Sequence, residues 1–355
     1  MKTLDRHLAA HVLRGSSFAL IILLSISVVF EFMSEVDSIG TGRYSLLQSL
    51  LYTILTAPRH AYDLLPMAAV VGSLLTLGTM ATYNEFIVIR SAGVSTRRIV
   101  FGVMKAGIWL VLAAFLLGEV VLPYSEPYAQ NIRSFAKYDR VALRSDYGVW
   151  ARDRNSFLNI RKVYPGGNLE QLSIYEFDES HKLRIITKAD SAQFVNDQWL
   201  LRGVTQTRLG EQGLETVRHN KAGWGALLGP ELLGVLSVKP QHLSILTLSR
   251  YVAYLKKNAQ DAVPYEFAFW EKLVNPVAIL VMLLLAMPFV FGPVRSTGAG
   301  HRILIGILIG VGFFVVTRII THLGQVYNLS PALCVLLPVL GFAAIGFLGI
   351  RYAQR

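Results

Sequence analysis

The stretch ILIGILIGVGFFVVTRIITHLGQV, Ile303–Val326, decides the fold class of this chain. Its first fourteen residues contain only Ile, Leu, Gly, Val and Phe. At ~1.5 Å per residue, a helix of this length covers the ~30 Å hydrocarbon core of a bilayer. Five more apolar runs meet or nearly meet that length, at about 16–33, 61–83, 99–122, 267–291 and 331–350. Three of the six precede residue 123 and three follow residue 266, with a polar, strand-patterned stretch between them. The predicted fold is therefore an α-helical membrane protein with six transmembrane helices and one sizeable β-rich domain outside the bilayer. Its parts are residues 1–123, 124–264 and 265–355.

Bulk composition agrees. With 53% hydrophobic and 16% charged residues in 355, the chain is too apolar for an ordinary soluble protein. The net charge of +11 does not point to nucleic acid, since no basic run, zinc spacing or aromatic-basic interleaving accompanies it. The single cysteine, Cys334, lies within the last apolar run, which excludes an intrachain disulfide or a multi-cysteine metal site. Ser16–Phe32 continues without a small-residue cleavage site and reads as a retained first span. Before it, Leu4, Leu8 and Val12 share a helical face, the pattern of a short interfacial elbow.

Orientation follows from the arginines and lysines in the short flanks. Lys2, Arg6, Arg14, Arg90, Arg97, Arg98, Arg295, Arg302, Arg351 and Arg355 fall on one side, against only Arg43 and Arg59 in the first connection. That count puts both termini in the cytoplasm and the central domain across the membrane.

Within the central domain the period changes. Leu158, Ile160 and Tyr164, then Leu172 and Ile174, then Ile185, Thr187 and Ala189, then Trp199 and Leu201 recur at spacings of two or four. Turn residues separate these runs at 165–168, 178–180, 196–197 and 210–213. Closely spaced strands without helices between them predict an antiparallel sandwich or roll. Leu248, Tyr251, Val252 and Leu255 then form a helical stripe that leads back to the fourth span. His181, His219 and His242 are scattered and form no catalytic motif, so the domain reads as a docking module with open strand edges.

The loop between the second and third spans is unusually apolar. Asn84 and Glu85 suit a helix start and Gly93 a helix end, while Phe86, Ile87, Val88 and Ile89 lie consecutively between them, followed by Arg90. Part of such a helix packs on its own chain or the lipid interface, or it plugs a groove on a soluble partner. No Gly-x-x-x-x-Gly-Lys-Ser/Thr occurs, so any ATP hydrolysis belongs to another subunit.

Arg318 stands among Thr317, Thr321 and His322 in the fifth span, about sixteen residues or ~24 Å from its start. It either snorkels to headgroups or faces a cavity and grips an anionic group. Arg133, Lys137 and Arg140, just past the third span, form a second candidate phosphate-binding cluster. Gly306 and Gly310 permit close helix packing, within the chain or with a partner.

The order of several short segments resembles the LptF/LptG (YjgP/YjgQ) permease family. These are Leu4-Asp5-Arg6, Leu64-Leu65-Pro66-Met67-Ala68-Ala69, Ser91-Ala92-Gly93, Gly118-Glu119, Ser173-Ile174-Tyr175, Tyr254-Leu255-Lys256 and Phe291-Gly292-Pro293-Val294-Arg295-Ser296. The resemblance covers nearly the whole chain and is nearer the LptG than the LptF branch. It implies a permease in the inner membrane of a Gram-negative lipopolysaccharide exporter, with a periplasmic antiparallel β-jellyroll-like domain. The implied partners are an LptF-like permease, an LptB-like ATPase dimer, an LptC-like periplasmic protein and an LptA-like bridge. ATP and Mg would be bound by that ATPase, and this chain would need no cofactor. By the family pattern, Glu85, Phe86, Ile87, Ile89, Arg90 and Gly93 belong to the coupling helix, and the first and fifth spans form gates. Where some relatives carry lysines after the first span, this chain has Glu31, Glu35 and Asp37, which shifts weight to Arg318 and the 133–140 cluster. A non-transporting mechanotransmitter driven by an ATPase remains the alternative reading.

Overall fold

The computed structural model describes residues 2–138, 143–153, 155–164, 168–178, 182–195, 198–210, 213–225, 240–258, 260–291 and 298–353. The expected turns at 165–167, 179–180, 196–197 and 211–212, and Arg295, lie outside them. Among the described residues, six helices are long and apolar enough to cross a membrane, as the sequence predicts.

The first, α1, is one uninterrupted helix (Lys2–Val36), so the predicted elbow is not a separate interfacial element. Leu8 and Val12 are fully buried, against the chain's own helices rather than lipid. Helix α2 (Leu46–Thr82) starts well before the predicted residue 61. Its start is set by a capping box between Ser45 and Gln48. Thr53 and Thr56 donate to backbone carbonyls one turn back, which lets polar residues sit buried inside the helix. Arg59 is consequently a helix residue, not the loop residue the charge count assumed.

The short helix α3 (Glu85–Ser91) lies where the apolar loop predicts one. Gly93 takes a left-handed φ of +86°, the conformation expected after a helix end. Asn84 also has a left-handed backbone, φ 58°, and its side chain does not cap the helix.

Helix α4 (Thr96–Leu116) passes through a π-helical turn, Leu117–Val121, into α5 (Leu122–Tyr138). The helix thus runs beyond residue 124, where the change of period places the domain boundary. Among the described residues six strands follow: β1 (Leu143–Asp153), β2 (Ser156–Val163), β3 (Leu169–Phe177), β4 (Leu183–Val195), β5 (Gln198–Gly210) and β6 (Gly213–Trp224). Each pairs antiparallel with the next, giving the sheet order β1-β2-β3-β4-β5-β6. Helix α6 (Ile245–Lys257) covers one face: Leu248, Tyr251 and Leu255 are buried with Leu158, Ile160, Leu172, Ile174, Trp199 and Leu201. These include most of the positions the alternation selects. Strand β6 is exposed along nearly its whole length, an open edge.

The chain returns through α7 (Val263–Phe291), α8 (Ala299–Val326) and α9 (Pro331–Ala353). In the most apolar window of each helix, α2 is 72% and α7 56% buried, against 11% for α1 and 17% for α8. Helices α2 and α7 therefore form the centre, while α1 and α8 turn most of their apolar surface outward. Where α1 crosses α2, a methyl group added at Gly72 would sit 2.3 Å from the Gly15 carbonyl carbon, so only glycine permits this approach. Added carbons at Gly306 and Gly310 would meet Val71 and Met67 of α2 at 3.0 and 2.6 Å, which assigns that pair to packing within the chain.

Candidate functional site

Two features stand apart from ordinary packing: a charged cavity between the spanning helices, and the surface of α3 at the other end of the bundle.

The cavity has a volume of ≈ 600 Å³. Helices α2, α7 and α8 supply most of its wall, with Gln241 and His242 of the 3-10 turn Pro240–His242 closing one side. Apolar side chains such as Met67, Phe313 and Val339 share the wall with Arg59, His60, Asp63, His242, Glu271, Lys272 and Arg318. Charges are costly in such surroundings unless paired, and most of these are. Arg59 reaches Glu31 of α1 and Glu126 of α5, each at 3.3 Å. His60 lies 3.5 Å from Glu31, and His242 3.3 Å from Glu126. Lys272 meets Glu119 at 3.2 Å and donates to the Leu243 carbonyl. Glu119 in turn accepts the Ile245 backbone N–H at 3.0 Å. The π-helical turn that carries Glu119 thereby joins α4, α7 and the start of α6. These contacts tie the returning end of the sheet domain to the bundle.

Arg318 is on the cavity wall, its guanidinium 5.2 Å from the centre of the Phe314 ring. Of the other predicted substrate residues, His322 and Arg133 are not brought to it. His322 is exposed on α8 and does not line the cavity. Arg133 is 2.7 Å from Glu35 and stacks over the Tyr52 ring at 5.2 Å, in a separate cluster. Glu35 also accepts from the buried Tyr44 hydroxyl at 3.1 Å. Burial, then the neighbouring Glu35 carboxylate, push the Tyr44 hydroxyl up to about 12. Lys137 lies on α5, and Arg140 falls outside the described residues.

Sequence pattern alone does not mark Asp63, Glu126, His242, Glu271 and Lys272 as groups of one cavity. Glu271-Lys272 inside an apolar run was the available signal. His242 and Glu126 carried none, because their pairing joins residues far apart in the chain.

Helix α3 divides its apolar residues between two faces. Phe86 is buried, with its ring edge-on to Phe291 at 5.4 Å between centroids, and Ile89 packs on the same core. Glu85 faces His7 of α1 at 3.5 Å. Ile87 and Val88 point outward, 47% and 67% exposed, beside Tyr83 at 74% and the exposed Arg90. Of the six predicted coupling residues, Phe86 and Ile89 thus hold the helix to the bundle, while Ile87 and Arg90 face outward.

The profile described as "Lipopolysaccharide export system permease LptF/LptG" matches residues 6–352. The chain is 34% identical over 344 residues to "Lipopolysaccharide export system permease protein LptG" of Haemophilus influenzae, covering 96% of each chain. It is 35% identical over 345 residues to the protein of the same name from Escherichia coli K12, again covering 96% of each.

Proposed function

The chain belongs to the lipopolysaccharide export permease family LptF/LptG, and from that premise we propose that it is a permease subunit of an ATP-driven exporter in the bacterial inner membrane. It takes lipopolysaccharide from the outer leaflet and passes it to the periplasmic sheet domain. The observation that carries the reading is the membrane-level cavity whose wall mixes apolar side chains with Arg318. Each buried CH₂ anchors a lipid by about 0.8 kcal/mol, so a molecule with several acyl chains is held by tens of kcal/mol. Extraction therefore requires an apolar chamber, so that the acyl chains leave the bilayer without meeting water.

The outward faces of α1 and α8 suit a second, LptF-like permease that completes the chamber and gates its sides. Both termini lie in the cytoplasm and the sheet in the periplasm, where LptC-like and LptA-like proteins continue the path from the open edge. Tyr83, Ile87 and Val88 form the plug for an LptB-like ATPase dimer, which binds ATP and Mg. Closure of that dimer pushes on α3, and Phe86 and Ile89 pass the movement to the bundle. This chain hydrolyses nothing itself.

Mass spectrometry of lipid co-purifying with the assembled complex tests the reading. Lipopolysaccharide is the expected cargo. Glycerophospholipid alone overturns the reading and leaves the non-transporting mechanotransmitter.

A further inference from the structure

Not every charge on the cavity wall is drawn into an ion pair. Arg59, His60, His242 and Lys272 each stand within 4.0 Å of a carboxylate. Among the described residues, Asp63, Glu271 and Arg318 form no such ion pair, although all three line the cavity. They are not isolated from each other: Arg318 acts electrostatically on both carboxylates, and the carboxylates act on one another. One residue before Arg318, the Thr317 hydroxyl is buried without a hydrogen-bond partner on the same wall. A buried, unsatisfied hydroxyl is costly, and a polar ligand would offset that cost.

We propose that this cavity receives a phosphate together with a cation bound beside it. Arg318 takes the phosphate, and Asp63 and Glu271 take the positive charge. The inference rests on the lipid-cargo reading above and names the headgroup chemistry that the cavity selects. The physical reason is that these three side chains, when ionised, carry two negative charges against one positive. A bare phosphate satisfies Arg318 but adds its own negative charge beside two carboxylates on the same wall, and like charges repel. A phosphate that brings a cation answers all three side chains at once. That cation is an amine on the headgroup or a divalent ion clamped to the phosphate. Both present positive charge to carboxylate oxygens.

The test uses the full permease–ATPase complex in nanodiscs, with bound lipopolysaccharide measured by mass spectrometry. It compares unmodified lipopolysaccharide in Mg²⁺, the same lipid in EDTA, and phosphoethanolamine-bearing lipopolysaccharide in EDTA. Wild type is expected to retain about tenfold less unmodified lipid in EDTA, roughly 1.4 kcal/mol. The double variant Asp63→Asn/Glu271→Gln is expected to retain it equally with and without Mg²⁺, because its wall no longer requires a cation. Arg318→Gln loses retention under all three conditions. Retention of the amine-bearing lipid by wild type in EDTA assigns the charge to an amine, whereas retention with Mg²⁺ alone assigns it to the metal. An equal EDTA response in wild type and double variant overturns this inference and leaves the cargo reading intact. Failure of wild type to retain lipopolysaccharide in any condition overturns both.

Discussion

The division of α3 into inward and outward residues makes the transport reading testable at one helical turn. Val88 and Ile87 expose 67% and 47% of their surface. Fully burying an aliphatic side chain is worth about 1.5–3 kcal/mol, so seating these two residues in a partner groove is worth about 2–3 kcal/mol. At 1.4 kcal/mol per decade that is about 30- to 150-fold in affinity for the ATPase. The double variant Ile87→Asp/Val88→Asp forfeits this and also places charge in an apolar groove. Neither residue supports the bundle core, so the permease itself should fold normally. Phe86→Ala is the counterpart: it deletes a buried ring packed on Phe291, and should cost about 3–5 kcal/mol of stability. The assay is affinity purification from membranes with ATPase stoichiometry read on a gel, alongside thermal denaturation followed by size-exclusion chromatography. The expected result is loss of ATPase at unchanged Tm for the aspartate variant and a lowered Tm for Phe86→Ala. Full ATPase retention by the aspartate variant would refute the assignment of this surface.

Other outcomes follow from the packing and charge pairs. Gly72→Leu should abolish folded protein in membranes, because even a methyl there meets the Gly15 backbone at 2.3 Å; normal yield by fluorescence size-exclusion would contradict the tight crossing. Lys272→Met leaves partly buried Glu119 without its cation and should destabilise by up to about 3 kcal/mol, while Lys272→Met/Glu119→Gln should recover much of that. Tm values for the three variants provide the check, and additive losses would argue against a coupled pair. Tyr44 titrates at about 12 in the folded chain against 10.0 ordinarily. The folded state therefore holds this proton more tightly. The contribution is full below pH 10 and is lost as pH rises toward about 12. A denaturation series across that window should flatten in Tyr44→Phe, whereas an unchanged slope would place the effect elsewhere.

Six spans, a β-rich domain between them, a short apolar helix within 84–93 and the family are all legible in the linear chain. Each is written in local hydrophobic period or in the order of short segments, and a helix or strand pattern survives whatever lies beside it. Leu158, Ile160, Leu172 and Ile174 are buried as their alternation predicts, and Gly93 ends its helix as glycine should. Where the reading slipped, a neighbour distant in sequence was responsible. The Leu4–Val12 face suits a lipid surface equally well, but α4 packs on it at Leu8; Arg59 looks like a loop charge, but the helix that starts at the Ser45 cap carries it to Glu31 and Glu126. Phe86 and Val88 are two similar apolar residues in one run, and only the position of Phe291 decides which points inward. The meeting of Asp63, Glu271 and Arg318 on one wall is equally invisible in the sequence, because they come from three different spans. Burial cost and charge pairing depend on distance in space, and that quantity exists only once the helices have packed.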